Sequence, residues 1–542
     1  MANHLGPGKY WGGLHITITA LIVLPLLALV WQAMSQSDPI FDHLMATVMG
    51  EYALNSLLLV LLTVALAVLI GFPAAWLTQM CRFPGSRQFR WLLIVPLAMP
   101  PYLLAYLYTD LLDYAGPVQR FLRSFFGWSS PADYWFFEIR SLPGAALILA
   151  LALYPYLFLL VRAALREQSA SMLHSCQLLG VSNRGYFWRV ALPLLRPALV
   201  AGMALVGMET LADFATVHYF SVSTLTTAVY DTWLGHSNLT AAAKIAMAVL
   251  LGVVILVSLE RIARSRMRYE QKGQQQKESV FELQGVRKWM ASIWCALILL
   301  VSFILPVVLL LDLALQNTDS WSVNFTTYLF NSVAIAATAA GVCVLLGLWL
   351  TTFQRNSNSL WSSICVQSAA LGYAIPGTVL AIAVLIPLSG LDHVVNHVLR
   401  SWDMQAPGLL FSGSVFIIIA AYVVRFIPLM IGSLESQYGR IPAHLDMAAM
   451  SLGQSRWRVF KRVHWHLLRR GLLVAVIMVF LESLKELPAV LLLRPFNFET
   501  LATWVYGYVV DEQLEQAASG ALVLLGAGLL AVLLLNRSTE KT

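Results

Sequence analysis

The chain has 542 residues, of which 59% are hydrophobic and only 12% charged, and its mean hydropathy is +0.72. Soluble domains carry about 25% charged residues, so this composition excludes a soluble enzyme and predicts an all-α polytopic membrane protein. The net charge is +7, but the location of the charges matters more than their sum. We expect membrane lipid, and no nucleic acid, among the partners.

Twelve apolar runs are long enough to cross a bilayer as helices, because about 20 residues suffice at ~1.5 Å per residue. No small-residue cleavage site follows the first run, so we interpret it as an uncleaved first helix. A polar, Gln-rich, basic segment at 265–288 is typical of a cytoplasmic linker. The runs lie near 12–34, 54–80, 91–109, 143–164, 197–217, 239–261, 289–315, 329–353, 361–388, 409–433, 471–493 and 516–536.

Lysine and arginine are concentrated in alternate loops, including 81–90, the linker, and the loops at about 165–196 and 434–470. The positive-inside rule therefore places these loops and both termini in the cytoplasm.

The two halves of the chain repeat each other. Six spans in each half is an even number, so the repeats are predicted to be parallel and related by a pseudo-two-fold axis along the membrane normal. We predict a first repeat over 1–264 and a second over 289–542, around a central path. Asn55, Ser56, Gly71, Pro100, Thr224, Leu225, Thr227 and Tyr230 recur at an offset of 276 residues, and Gly180, Glu209 and Asp213 recur as Gly453, Glu482 and Glu486 at 273.

The loops that follow spans 4 and 10 share one pattern. Each predicts a short amphipathic helix, then a glycine, then a basic amphipathic stretch. Gly180 and Gly453 stand where such a helix ends in a left-handed residue. Pro193 and Pro197 suit the start of the next helix. Because both loops occupy the same point of each half, we favour a shared docking function over helices that rest on the membrane surface.

These loops resemble the cytoplasmic signature of inner-membrane permeases of binding-protein-dependent ABC importers: Glu-Ala-Ala, three residues, Gly, nine residues, then Ile-x-Leu-Pro. The resemblance implies that both loops dock on an ATPase subunit and pass its closure to the membrane helices. Both copies lack the Glu. The first matches at Gly180, Val190, Leu192 and Pro193, with His174, Ser175 and Cys176 in place of Glu-Ala-Ala; the second matches at Ala448, Ala449, Gly453 and Val463, with Met447 in place of Glu and Trp465-His466 in place of Leu-Pro.

The segments 208–235 and 481–518 resemble the signatures of fused, two-repeat permeases of ferric-iron importers, and the resemblance covers nearly the whole chain. It implies that the chain lies in a bacterial inner membrane and moves ferric iron by alternating access. The implied partners are a periplasmic ferric-iron-binding protein and a cytoplasmic ABC ATPase homodimer that holds ATP and Mg²⁺. Relatives with this architecture carry other small ligands, so thiamine, a polyamine, a phosphonate or an anion stays open as the cargo.

Four acids fall inside predicted spans, where an ionised carboxylate is costly. We expect Glu209 and Asp213 to share one helix face, and Glu482 and Glu486 to share the matching face of the other half. One interpretation is an anionic lining for a cation path. Carboxylate and phenolate oxygens suit the hard Fe³⁺ ion. The other interpretation is structural, with the acids paired to Lys485 or capping helix ends. The phenolate candidates are Tyr219, Tyr230 and Tyr506.

The sequence contains no G-x-x-x-x-G-K-[ST] loop, no HExxH motif and no Ser/His/Asp arrangement, so we expect no enzyme activity and no cofactor in this chain. An ion that passes through a transporter must bind weakly enough to leave each site, so we predict no stable metal site in this chain. His393 and His397, in a predicted outer loop, lack a third ligand. The rival classes are an ion-coupled secondary transporter that uses Glu209 and Asp213, and a non-transporting receptor or scaffold.

The predicted periplasmic loop 110–142 is long, aromatic and mixed in charge. It suits either a docking surface for the binding protein or an amphipathic cap packed over the helix ends, and we favour the cap.

Overall fold

The computed structural model describes residues 9–35, 37–167, 176, 178–265, 281–317, 323–357 and 359–540. The structure is 82% helical. In its described part, strand structure is limited to Cys81–Arg82 and Phe281–Glu282, which pair in parallel. The predicted all-α polytopic membrane protein is confirmed.

The helices account for most of the predicted spans. The α-helices cover Lys9–Ser35, Pro39–Thr47, Met49–Met80, Ser86–Leu92, Pro101–Leu112, Pro117–Phe126, Leu142–Glu167, Asn183–Tyr186, Leu192–Ala212, Ala215–Tyr219, Leu225–Leu234, Leu239–Ser265, Val286–Leu299, Leu305–Gln316, Val323–Ser357, Leu360–Ala369, Gly377–Ser401, Val415–Gly439, Ala443–Ser451, Arg456–Val459, Trp465–Lys485, Pro488–Leu493, Leu501–Val510 and Ala518–Glu540. Short 3-10 turns cover Val95–Ala98, Pro131–Asp133, Gly372–Ala374 and Leu514–Ala517, and π-helical turns cover Phe187–Ala191, Leu300–Ile304 and Phe460–His464.

Ten helices in the described ranges are long and apolar enough to cross a membrane. The number is eleven if the pair Ser86–Ala98 and Pro101–Phe126, bent by 91°, counts as one span. The remaining predicted span corresponds to helix Trp465–Lys485, which has 21 residues but includes several charged side chains. The count of twelve spans and the pseudo-two-fold arrangement stay predictions.

The chain forms two compact units. The first, here called unit I, comprises Asp42–Ala228, Ala248–Ser322 and Val505–Thr542. Its centre is the pair of helices Met49–Met80 and Leu142–Glu167, and helix Leu192–Ala212 packs against both.

The other unit, here called unit II, comprises Met1–Phe41, Val229–Met247 and Val323–Trp504. Its centre consists of three mutually packed helices, which are Val323–Ser357, Val415–Gly439 and Trp465–Lys485. Two of these helices start 273 residues after their counterparts in unit I. The same three-helix centre is thus built from matched positions of the two halves. The predicted division of the sequence at 265–288 stays a prediction.

Two predicted spans, 91–109 and 361–388, are each broken in the structure. The helix restarts after Pro100 in the first and after Pro376 in the second, at matched positions of the repeat. Proline has no N–H to donate and disfavours a helical conformation in the residue before it, so it suits a break. Gly372 stands at the second break, where an added Cβ would lie 1.9 Å from the carbonyl oxygen of Val424. Only glycine permits this close approach.

His393 and His397 both lie within helix Gly377–Ser401, and their side chains are exposed. Among the described residues, no group of three or more His, Cys, Asp or Glu side chains is arranged to hold a metal ion.

Candidate translocation and coupling sites

In the first half, the membrane helix ends one residue before Asp213. Helix Leu192–Ala212 stops there, and the Asp213 backbone is extended at φ −69° and ψ 126°. Its Oδ1 accepts hydrogen bonds from the backbone N–H of Thr216 at 3.0 Å and from the next N–H at 3.3 Å, and its Oδ2 accepts from the Thr216 hydroxyl at 3.1 Å. Asp213 therefore caps helix Ala215–Tyr219. Half-buried Glu209 stays in the last turn of the preceding helix, so the helix expected to carry both acids ends between them.

The second half breaks at the matched residue. Helix Trp465–Lys485 ends before Glu486, whose backbone is extended at φ −66° and ψ 120°. Glu486 Oε1 accepts from the backbone N–H of Ala489 at 3.2 Å, and Oε2 lies 2.9 Å from Nε of Arg425. The Glu486 side chain is only 5% exposed. Glu482 remains in the helix, so here too the helix ends between the two acids.

The arginine beside Glu486 is itself held in place. Arg425 donates from its Nη1 to the carbonyl oxygen of Ile375 at 2.6 Å. Glu482, on the other side of the break, forms an ion pair of 3.1 Å with Lys485. These contacts favour the structural interpretation for Asp213 and Glu486, whereas the pair of Glu482 with Lys485 is partly exposed. Their role as lining of a cation path stays a prediction.

The predicted phenolate donors divide between the two units. Tyr219 and Tyr506 belong to unit I, and Tyr230 belongs to unit II together with Glu482 and Glu486. Around helix Ala215–Tyr219, the Tyr506 hydroxyl lies 2.9 Å from Nδ1 of His218, and the Arg140 guanidinium lies 5.4 Å from the centre of the Tyr219 ring. Asp213, Tyr219 and Tyr506 thus each lie in, or contact, helix Ala215–Tyr219 or the residues that precede it. His218 was not predicted, although a polar ring within the apolar segment 208–220 was an available signal.

The residues that repeat at an offset of 276 make the same hydrogen bonds in both units. Asn55 Nδ2 donates to the carbonyl oxygen of Ser223 at 3.0 Å, and Asn331 Nδ2 donates to that of Glu499 at 3.0 Å. The Ser56 hydroxyl accepts a hydrogen bond from the N–H of Leu225 at 2.9 Å. In the other half, the Ser332 hydroxyl accepts one from the N–H of Leu501 at 2.7 Å. These bonds fasten the segment after each break to a long helix. Both halves of the repeat therefore keep the same structural hydrogen bonds.

The two coupling glycines adopt the predicted conformation. Gly180 has φ +76° and Gly453 has φ +74°, both in the left-handed region. The residue after each donates its N–H to a carbonyl oxygen five residues earlier, on Cys176 at 2.9 Å and on Ala449 at 3.1 Å. This is the bonding of a Schellman helix end. The predicted turns are confirmed, and His174 lies outside the described residues.

An exposed leucine precedes each glycine. Leu179 is 82% exposed and Leu452 is 80% exposed, and they occupy matched positions of the repeat. Met447, which stands where the signature has Glu, is 58% exposed. Ala448 is exposed and Ala449 half-buried beside it. Both turns therefore present apolar side chains to the surroundings.

A π-helical turn follows each coupling turn. It covers Phe187–Ala191 in the first half and Phe460–His464, which includes half-buried Val463, in the second. The α-helix resumes at Leu192, with Pro193 in its first turn as predicted, whereas Pro197 lies inside the helix. A π turn is a local irregularity that often marks a functional position.

The second coupling helix, Ala443–Ser451, is fastened by a buried polar cluster. Asp446 Oδ2 accepts from Nε of Arg355 at 2.8 Å, and Oδ1 lies 2.7 Å from Nε2 of His464. Arg355 also donates to two backbone carbonyl oxygens, of Tyr438 at 2.9 Å and of Ile441 at 3.0 Å. Burial alone raises the pKa of the Asp446 carboxyl, but the hydrogen bonds and charges of His464 and Arg355 outweigh burial and leave the pKa below its usual value.

Nothing local in the sequence indicated this cluster, because Arg355 and Asp446 stand 91 positions apart. We refer to Arg355, Asp446 and His464 as the coupling clamp.

Comparison with known proteins adds independent findings. Residues 67–269 match the model of a family described as the binding-protein-dependent transport system inner membrane component. The Fe(3+)-transport system permease protein FbpB 2 of Haemophilus influenzae is 25% identical over 504 residues, which cover 91% of each chain. The ferric transport system permease protein FbpB of Actinobacillus pleuropneumoniae is 22% identical over 455 residues, 80% of this chain and 63% of its own length.

A shorter relative matches in a different way. The molybdenum transport system permease protein ModB of Escherichia coli K12 is 28% identical over 226 residues, which are 39% of this chain but 95% of the relative. A relative of about half the length thus aligns along nearly all of itself. This accords with a chain composed of two similar halves.

Proposed function

We propose that this chain, a permease component of a binding-protein-dependent ABC transport system, imports ferric iron across the inner membrane by alternating access. The observation that carries the proposal is the matched pair of coupling turns. Each has a left-handed glycine, with Leu179 or Leu452 exposed beside it. Exposed large apolar side chains in a polar loop are typical of a partner surface.

Two such turns fit an ATPase with two like subunits. ATP and Mg²⁺ are held by that partner, and this chain supplies the docking surfaces and the membrane helices. In each half, the coupling turn continues through a π turn into the helix that ends at Asp213 or Glu486. A displacement of the turn therefore acts on a helix about 31 Å long, at ~1.5 Å per residue. This connection supports alternating access.

Ferric iron as the cargo is supported by the relatives named for Fe(3+) and ferric transport. Within unit I, the proposed donors along the ion's path are Glu209, Tyr219 and Tyr506, and within unit II they are Glu482 and Tyr230. Asp213 and Glu486 hold the helix ends beside them. No stable metal site is proposed, because an ion that binds tightly leaves slowly.

The cargo is tested by the periplasmic binding protein that partners this chain. That protein is purified from the host periplasm without added metal, and its metal and organic ligands are measured by mass spectrometry. We expect stoichiometric iron. An organic solute such as a phosphonate, carried without iron, contradicts the ferric assignment and leaves the importer class intact.

A further inference from the structure

The loop between the membrane segments that end at Leu112 and begin at Leu142 contains a strongly amphipathic helix, Pro117–Phe126. From the sequence, we favour an amphipathic cap for this loop. The polar side contacts protein, and the aromatic side faces outward.

The polar side is fixed by specific hydrogen bonds. Gln119 is 8% exposed and donates from Nε2 to the carbonyl oxygen of Leu112 at 2.8 Å. Arg123 donates from Nη1 to the carbonyl oxygen of Tyr114 at 2.8 Å and to the Tyr134 hydroxyl at 3.1 Å. The Arg123 guanidinium also lies 4.0 Å from the centre of the Tyr114 ring. The orientation of the helix is therefore set by its polar contacts.

The outward side consists of aromatic rings. Phe121 is 67% exposed, Phe125 71% and Phe126 55%. Phe121 stacks on Phe125 with ring centres 6.0 Å apart, and Phe126 stacks on Trp128 at 4.6 Å. Nearby Trp135 is 86% exposed. A contiguous apolar surface of this kind is rare on a face that contacts only water.

The helix lies next to a candidate membrane segment. It begins five residues after Leu112, the last residue of helix Pro101–Leu112, and the Gln119 hydrogen bond ties it to that residue. A long apolar helix starts at Leu142. Phenylalanine and tryptophan suit the boundary between headgroups and acyl chains, where amphipathic helices lie in the plane of the membrane.

We propose that the face formed by Phe121, Phe125 and Phe126 inserts into the membrane interface and anchors this loop to lipid. A soluble docking partner offers a largely polar surface, and the polar side of this helix is already occupied by its own protein. The anchor restrains the loop next to helix Pro101–Leu112. The inference does not depend on the identity of the cargo.

The test uses nitroxide labels on the full chain in phosphatidylcholine nanodiscs. Phe121→Cys and Phe125→Cys place the label on the aromatic face, and Arg120→Cys places it on another exposed side of the same helix, about 100° from Phe121. The unsubstituted chain is labelled in parallel, because it has native cysteines. Collision rates with oxygen, which concentrates in lipid, and with a water-soluble nickel chelate are measured at each position.

We expect the oxygen-to-nickel collision ratio at 121 and 125 to exceed that at 120 severalfold. Equal ratios at the three positions, with free access of nickel to 125, show that the face lies in water and overturn the proposal. Protection of 125 from both reagents shows a protein cover and overturns it as well. Substitution at exposed positions leaves the fold intact, and unchanged thermal unfolding of each variant in detergent checks this.

Discussion

Asp213 and Glu486 occupy matched positions and perform the same task with different partners. In the first half, the carboxylate is bound by backbone N–H groups and by the hydroxyl of Thr216. In the second half, alanine replaces that threonine, and Arg425 supplies a charged partner instead. The residue that matches Arg425 in the first half is Ala152.

The coupling regions differ in the same way. Both have a left-handed glycine and a π turn at matched positions. The clamp of Arg355, Asp446 and His464 belongs to the second half. In the first half, Gln79 stands at the position of Arg355 and Ala191 at that of His464, and neither can take part in an ion pair.

This comparison separates what duplication has preserved from what has diverged. The backbone path and the main-chain hydrogen bonds recur, whereas the charged partners do not. The second half therefore relies on buried ion pairs at both ends of helix Trp465–Lys485. We expect charge-removing substitutions to act mainly there and backbone substitutions to act equally on both halves.

The largest effect is expected for Arg425→Met. The substitution leaves the Glu486 carboxylate, whose side chain is 5% exposed, without its cation, and breaking such a pair costs about 3–5 kcal/mol. Thermal unfolding in detergent measures the loss. Adding Glu486→Gln in the same chain should restore part of it, because the buried charge is then gone. If Arg425→Met unfolds at the wild-type temperature, the helix break at Glu486 does not depend on the ion pair with Arg425.

Asp446→Asn comes next, at about 1–3 kcal/mol, because two buried donors lose a charged acceptor. The pKa of the folded carboxyl is depressed, so its contribution is present above its unfolded pKa of about 3.9 and is lost as the pH falls through the lower folded value. The stability gap between wild type and variant should therefore shrink as the pH falls toward about 3. Exposed Glu435→Gln in the same unit is the matched control. A gap that is constant with pH argues against the clamp.

Gly180→Ala and Gly453→Ala should each cost about 1–2 kcal/mol, because an L-residue is strained in the left-handed region. An added Cβ meets nothing within 4 Å at either position, so the backbone alone sets the effect. Asparagine, which tolerates this conformation, should cost less. Equal losses in denaturation experiments support the shared backbone, and a loss confined to one glycine contradicts it.

The smallest effect is expected for Asp213→Ala, at about 1 kcal/mol for a lost helix cap, whereas Asp213→Asn keeps a good cap and should behave as wild type. Iron uptake is measured beside unfolding. If Asp213→Asn unfolds normally but no longer supports uptake, the carboxylate acts on the ion and its role is not mainly that of a cap.

The sequence was sufficient for the features that depend on hydropathy and on residue type. Long apolar runs predicted most of the membrane helices, and Gly180 and Gly453 predicted their own turns. The breaks at Asp213 and Glu486 were missed, since apolar residues continue on both sides and hydropathy does not register a change of backbone direction. Pro488 was an available signal, because a proline disfavours helix in the residue before it.

Long-range contacts were beyond prediction for a different reason. Arg355, Asp446 and His464 are polar residues in polar or basic segments, where a solvated side chain is the ordinary expectation. Only the packing of three helices brings them together. The sequence likewise could not show which face of helix Pro117–Phe126 contacts the protein. Periodicity shows that a helix has an apolar and a polar face, but not which of them packs against its own chain.

The central claim, that this chain is a permease driven by a separate ATPase, is tested most directly by reconstitution. The chain is placed in proteoliposomes with or without its ATPase, its binding protein and ATP, and entry of radioactive iron is counted. We predict uptake only when all three are present, and its loss when ATP is replaced by a non-hydrolysable analogue. Iron uptake driven by an ion gradient, without ATP or the ATPase, would contradict the account.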